Sequence, residues 1–331
     1  MMRAGIVGLG WWGRTIVQTL SGNPHLRIVA ATDTSPDTAA FAAANGLPFA
    51  PDLAAILADP AVDAVILCTP HTQHAAQILA VAAAGKHCFC EKPLCLTRAD
   101  AAAAIEACRA AGVTLGVGHE RRFEPPILAL RALADAGTLG TLMQIEANFS
   151  QDKFLALDPA NWRLSGAEAP AGPMTATGIH LLDLSVSFLG PAERVLAQVR
   201  TLGSGLVNGD TLGILVGFRN GANALISAIL ATPFDGRFAI YGSKGWAEVR
   251  DLAHPEAPMG WTLTTHIRGE GRRVEDFAPA SSVRANLEAF AAAAAGGAPY
   301  PMTHDQMLGT IAALEGVFRS AASGAVTMIE N

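Results

Sequence analysis

The chain has 331 residues, which at ~150 residues per domain predicts two domains. Hydrophobic residues make up 50% and charged residues 16%, a balance that excludes an intrinsically disordered chain. The net charge of −6 excludes a broad nucleic-acid surface, whose affinity comes from clustered lysine and arginine, and no apolar run reaches the ~20 residues of a membrane span.

In chain order, a strand is expected over 4–7, a helix over 11–20, a strand over 26–32, a helix over 38–44, a strand over 64–68 and a helix over 74–84. A strand at 87–90, a helix at 99–111 and a strand at 114–117 complete this stretch. Strands alternating with helices predict a parallel sheet covered on both faces, and the near-continuous apolar strands agree. After residue 123 the texture changes. A helix is expected over 126–136, a strand over 143–149 and a helix over 174–189. Closely spaced strands at 194–200, 210–218, 222–228, 238–241, 247–250 and 261–266 predict a mostly antiparallel sheet. Helices over 283–295 and 303–323 end the pattern, the second opened by a Thr303–Gln306 capping box. The expected fold is an α/β Rossmann domain with a parallel sheet, residues 1–123, followed by an α+β domain, residues 124–331.

No basic segment with an apolar run precedes the first strand, so no signal peptide is expected. The five cysteines, Cys68, Cys88, Cys90, Cys95 and Cys108, are clustered and odd in number, which makes a poor disulfide framework. Cys88 and Cys90 share one face of a strand, as a metal pair would, but their apolar neighbours favour buried thiols. A cytoplasmic protein without a bound metal is expected.

Gly8-Leu9-Gly10-Trp11-Trp12-Gly13 follows the first strand and opens the first helix, the context a dinucleotide-binding G-x-G-x-x-G requires. Gly8 permits the tight turn, Gly10 lets the backbone approach a pyrophosphate, and Gly13 allows close helix–sheet packing. Trp11 and Trp12 lie inside this loop, at the helix N-terminus that attracts the anion. Asp33 ends the second strand, where an acid binds the adenosine ribose hydroxyls. Its charge repels a 2′-phosphate, and no lysine or arginine lies between Asp33 and Phe49, so NAD is expected over NADP.

Two further groups sit at predicted strand ends, which line the ligand crevice of such a sheet. Thr69, Pro70, His71 and His74 follow strand 64–68, and Glu91-Lys92-Pro93 follows strand 87–90. A lysine at that mouth would hydrogen-bond a substrate oxygen as its charge changes during hydride transfer. Taken alone, Lys92 reads more simply as an exposed lysine. Gly242-Ser243-Lys244-Gly245 lacks the full phosphate-loop pattern and reads as a strand–turn–strand.

These motifs together resemble the Gfo/Idh/MocA family of oxidoreductases, which includes glucose–fructose oxidoreductase and inositol dehydrogenases. The resemblance runs from Gly8, Gly10 and Gly13 through Thr69-Pro70 with His74, Gly85-Lys86-His87 and Glu91-Lys92-Pro93. It continues in Arg121-Arg122-Phe123, Trp162-Arg163, Gly178-Ile179-His180-Leu181-Leu182-Asp183, Tyr241 to Gly245 and Arg319-Ser320, and so covers nearly the whole chain. It implies an N-terminal NAD(P)-binding domain, then an open sheet that binds substrate and builds homodimers or homotetramers. It implies that Lys92 is the catalytic lysine and His180 the second catalytic residue. Asp183, three residues on, would orient His180 or hold a substrate hydroxyl, and Arg122 would also bind substrate. Trp162 and Arg163 would approach the cofactor.

The chain departs from the family pattern at three points. Ala176 stands where many polyol-oxidising members carry aspartate, four residues before the histidine. On an α-helix 176 and 180 share a face, so a carboxylate is missing there; Thr175 or Thr177 would replace one hydrogen bond but not the charge. His71 and Glu120 stand where the family often has asparagine. The expected function is NAD-dependent hydride transfer between nicotinamide and a secondary alcohol or ketone of a sugar, cyclitol, sugar acid or cyclic diol. Two alternatives are a redox-neutral glycosidase-type enzyme that oxidises, eliminates and re-reduces, and a non-catalytic NAD-binding regulatory protein.

Overall fold

The computed structural model describes residues 1–35 and 37–330. The chain packs into two compact units: Met1–Glu120 with Val283–Met307, and Arg121–Ser282 with Leu308–Asn331. No helix among the described residues is long and apolar enough to cross a membrane.

The first unit holds a five-stranded parallel sheet in the order β2-β1-β3-β4-β5. Its strands are β1 (Met2–Val7), β2 (Leu26–Thr32), β3 (Ala64–Leu67), β4 (His87–Cys90) and β5 (Leu115–Val117). Every residue of β3 is buried, as the continuous apolar run predicts for a strand covered on both faces. The helices are α1 (Trp11–Thr19), α2 (Thr38–Ala44), α3 (Leu53–Ala58), α4 (His74–Ala83) and α5 (Arg98–Ala110). The short α3 escapes the sequence reading; its N-cap is Asp52, whose side chain accepts from the Ala55 amide at 2.8 Å. Helix α8 (Ser282–Ala294) returns to this unit, and Leu287, Phe290 and Ala291 join the core of Ile6, Ile16, Ile66 and Phe89. The cysteines form no disulfide among the described residues. Burial pushes the Cys95 thiol up to about 12 and Cys108 to about 11, so both pack as neutral apolar groups.

The second unit is built on an open nine-stranded sheet ordered β13-β12-β11-β10-β6-β9-β8-β7-β14. The strands are β6 (Leu142–Ser150), β7 (Ala192–Arg200), β8 (Thr211–Phe218), β9 (Asn223–Ile229), β10 (Asp235–Gly242), β11 (Gly245–Asp251), β12 (Trp261–Ile267), β13 (Gly271–Phe277) and β14 (Thr327–Met328). All pairings are antiparallel except β6 with β9. Ser243 and Lys244 form the expected turn between β10 and β11. Helix α6 (Pro125–Asp135), with proline at its first positions, packs on β11 and β12. Helix α7 (Ile179–Leu189) packs on β6 and β9. Helix α9 (His304–Ser323) closes the helical set.

The single helix expected over 174–189 is two structures: a π-helical turn, Met174–Gly178, runs directly into α7. Its wider turn breaks the face argument for Ala176 and His180, because residues four apart no longer align. Ala176 instead packs on Phe154, Leu206 and Leu230.

Candidate active site

In the first unit, strand order reverses between β1 and β3, and the crevice at their carboxyl ends is where such sheets bind ligands. Gly8 leaves β1 with φ +95°, and a Cβ there would lie 2.7 Å from the Cys68 carbonyl oxygen. At Gly13 a Cβ would sit 1.9 Å from the Gly8 carbonyl oxygen, so α1 can approach the loop only as glycine. Gly10 differs: a Cβ there would meet nothing within 4 Å. Protein packing therefore does not explain that glycine, whereas a phosphate lying on the open backbone does. Gly10 is the N-cap of α1, no side chain caps the helix, and its first turn carries no acid. Its positive end is left for an anion.

Asp33 braces the same loop. Its carboxylate accepts from the Leu9 amide at 2.5 Å and from the Ser35 amide at 2.7 Å. Trp11 is 42% exposed and meets Trp12 edge-on, with ring centroids 5.8 Å apart. The Trp12 indole N–H is buried without a hydrogen-bond partner among the described residues, as a donor left for a ligand would be. Loop, helix end, acid and orphan donor fit a dinucleotide.

The strand-end groups are tied together within this unit. The Thr69 hydroxyl donates to Gln77 at 2.6 Å. His74 is fully buried, with Nδ1 2.8 Å from the Pro93 carbonyl and Nε2 3.0 Å from the Thr69 carbonyl. Burial lowers its pKa against the pull of these carbonyls. The imidazole thus joins the β3 and β4 end loops from inside, which the sequence pattern does not reveal. His71 is buried nearby, its ring 5.9 Å from that of His74. Glu91 is buried against Gly118, where a Cβ would lie 2.5 Å from its carboxyl group. The Lys92 amide donates to Glu91 Oε2 at 3.2 Å, and Lys92–Pro93 is a cis peptide. The Lys92 side chain is half-buried beside this anchored turn.

In the second unit, His180 lies in the first turn of α7, 4% exposed, with its ring 6.1 Å from Phe149. Phe234 and His254 gather on the same phenyl ring, at 6.1 and 5.7 Å. The Arg121 guanidinium stands over it at 5.2 Å. Arg121 is itself enclosed, paired with Glu124 at 3.1 Å and Asp251 at 2.7 Å. Burial alone would lower its pKa, but Asp251 and Glu124 outweigh that and hold it above its ordinary value. Its role is structural.

The structure brings two expected substrate ligands onto each other. Arg122 grips Asp183 through Nε at 2.6 Å and Nη2 at 2.7 Å, and the Thr310 hydroxyl adds a bond to the same carboxylate at 3.2 Å. Thr310 carries no motif and the sequence reading missed it. The Thr177 hydroxyl is buried and returns to the Pro173 carbonyl at 3.3 Å. Trp162 and Arg163 form a 3-10 turn, the guanidinium over the indole at 4.3 Å.

Residues 2–119 match the model described as oxidoreductase family, NAD-binding Rossmann fold, and residues 127–248 match the Gfo/Idh/MocA C-terminal domain. The 1,5-anhydro-D-fructose reductase of Ensifer adhaerens is 30% identical, over 100% of this chain and 99% of its own. The inositol 2-dehydrogenase of Rhizobium meliloti is 28% identical over 97% of both. The solved aldose–aldose oxidoreductase of Caulobacter crescentus, complexed with glycerol, superposes with a TM-score of 0.86 at 25% identity, covering 99% of each chain. With both family models matched in order along one chain, this protein belongs to the Gfo/Idh/MocA family of NAD-binding oxidoreductases.

Proposed function

We propose that this chain is an NAD-dependent dehydrogenase or reductase acting on a secondary alcohol or ketone of a sugar, cyclitol, sugar acid or cyclic diol. The observation that carries the reading is the open Gly10 backbone at the uncapped end of α1, braced by Asp33. The Asp33 carboxylate also favours NAD, because it would repel the 2′-phosphate of NADP. Relatives named for anhydrofructose and inositol support the substrate class.

Bound NAD supplies the nicotinamide that exchanges hydride. Lys92 is assigned to hold the proton of the reacting oxygen, and His180 is assigned as the second residue of proton transfer. Asp183, held by Arg122 and Thr310, fixes the α7 turn that carries His180. Gly8, Gly10, Trp11, Trp12 and Gly13 would hold the pyrophosphate, with Thr69, Pro70 and His71 beside them. The test is NADH formation across a panel of polyols and cyclic diols. Lys92→Ala should lose about 10²–10⁴-fold in kcat. Equal turnover by the variant would overturn the role of Lys92, and glycoside cleavage without net NADH would overturn the reaction class.

The enzyme is proposed to work in the cytoplasm as a homodimer or homotetramer. Leu196, Leu215 and Leu225 form one cross-strand row on β7, β8 and β9, and each is more than 40% exposed. They line a groove of about 730 Å³ with Glu146 and Arg237. A second copy would cover this row, and Leu215→Glu should shift sedimentation to the monomer. An unchanged sedimentation coefficient would remove this face from the assembly.

A further inference from the structure

Strand β13 ends the nine-stranded sheet and pairs on one side, with β12; its outer edge meets no strand among the described residues. Neither of its faces is covered: the residues from Gly271 to Asp276 are all exposed, Val274 at 59%. Such an edge holds a row of backbone N–H and C=O groups able to pair with another chain. Edges are commonly guarded by charges, above all lysine, and a row of one sign repels a copy of itself. This strand carries both signs, in the order Arg272-Arg273-Val274-Glu275-Asp276.

The order is its own complement. Two copies meeting edge to edge about a two-fold axis run antiparallel, so each residue before the axis faces the one equally far beyond it. With the axis at Val274, Arg272 faces Asp276 and Arg273 faces Glu275, each pair is made twice, and Val274 faces itself. Opposite residues share a face, so Arg272, Val274 and Asp276 line one side of the joined sheet, and Arg273 and Glu275 the other. An axis moved by one residue sets Arg273 against Arg273 or Glu275 against Glu275, so charge fixes the register. Phe277 falls across from Gly271, where a Cβ would meet nothing within 4 Å. The charges are available for this pairing. Arg272, Glu275 and Asp276 make no ion pair among the described residues, and Arg273 meets the exposed Glu270 at 3.2 Å.

We propose that β13 is a self-pairing edge, through which two copies of this chain join into one continuous antiparallel sheet. Backbone hydrogen bonds and the Arg272–Asp276 and Arg273–Glu275 pairs hold the copies together. The contact lies at the far end of the sheet from the Leu196, Leu215 and Leu225 row and does not depend on it. A short strand pair held by exposed charges is weak and salt-sensitive, so copies released by Leu215→Glu sediment as monomers and a covalent trap is needed to read the edge.

The test uses the full chain carrying Val274→Cys, oxidised mildly with oxidised glutathione, with the covalent dimer read on a denaturing gel. Opposite residues of an antiparallel pair hold their Cβ atoms ~4.5–5.5 Å apart, close to disulfide range. Thiols at position 277 of the two copies would instead stand ~20 Å apart along the strands. Val274→Cys should therefore cross-link at least about tenfold faster than Phe277→Cys. Adding Arg272→Asp and Arg273→Glu to Val274→Cys makes the strand wholly acidic, and adding Glu275→Arg and Asp276→Arg makes it wholly basic. These positions are exposed, so the variants should keep the parent melting temperature. Each charge variant alone should cross-link about tenfold more slowly than Val274→Cys, and the two mixed in equal amounts should recover to within about twofold. Equal cross-linking by Val274→Cys and Phe277→Cys would overturn the proposal and leave the edge to an extended segment of another protein. So would undiminished cross-linking of either charge variant alone, or no recovery in the mixture. Sedimentation of Leu215→Glu reports on the sheet face separately, so either contact can fail without the other.

Discussion

Gly10 and Gly13 are three residues apart in one motif, yet they are glycine for opposite reasons. Gly13 has a carbonyl oxygen 1.9 Å from where a Cβ would be, while Gly10 has no protein atom within 4 Å of that point. One glycine is required by packing, and the other we assign to the ligand. Gly10→Ala should therefore keep the melting temperature of the parent and weaken NAD binding about tenfold or more. Gly13→Ala should lower the melting temperature, because the added methyl forces α1 away from the β1 turn. Calorimetric NAD titration beside thermal melts on the two variants checks both halves; equal melting temperatures would contradict the distinction. The same division holds elsewhere. His74 stands in the motif like a ligand-contacting residue, but its fully buried imidazole clamps two backbone loops. A sequence carries the residue type at a strand end; whether the side chain turns outward or inward depends on carbonyls nineteen and five positions away.

At the level of elements, the parallel strands were readable because burial on both faces leaves nearly unbroken apolar runs, as in Ala64–Leu67. Strand β13 was not readable, because Gly271–Phe277 is an edge strand exposed almost throughout and its charged residues show no alternation. The π-helical turn was missed for a related reason. A pattern of apolar residues over 174–189 looks continuous, and the change in hydrogen bonding that shifts Ala176 off the His180 face leaves no compositional trace. Lys92 and His180, which we assign to the chemistry, stand out in the sequence through motif order, whereas Thr310 and Asn208 make contacts that span 127 and 45 positions. The β7–β8 loop also carries a pH signature. Burial alone would raise the Asp210 pKa, but the amides and hydroxyls of the loop outweigh it and hold the carboxyl at about 2. An unfolded aspartate titrates near ~3.9, so the unfolded chain takes up the proton first as pH falls. The stabilisation is complete above ~4 and is lost as pH drops toward about 2. Thermal melts should show Asp210→Asn less stable than the parent at neutral pH, with a shallower loss between pH ~4 and ~2. Parallel curves would remove Asp210 from the acid response.

For the whole molecule, the texture changes from helix-alternating to strand-rich near residue 123, while the first compact unit draws on two separate segments. The first unit takes back residues 283–307 after the second unit has been built. Phe290 sets its ring edge-on to Phe89 at 5.5 Å, under the sheet strand that leads to Lys92. Gly116 on β5 leaves the space these two rings fill, since a Cβ there would lie 2.8 Å from each. Asn286 and Tyr300 both donate to the Val117 carbonyl, at 2.9 and 3.0 Å, and so finish the end of β5. A fragment of residues 1–123 would expose Phe89, Ile6 and Ile66 where α8 should lie, and would leave those β5 groups to water. It should therefore lack a cooperative melt and bind NAD weakly. The same fragment joined by a flexible linker to residues 283–307 should recover both properties. In the intact chain, Phe290→Ala should cost about 3–5 kcal/mol in urea denaturation, the usual range for an emptied aromatic core position. A cooperative melt and parent-like NAD affinity in the 1–123 fragment would show that the first unit completes its core without α8.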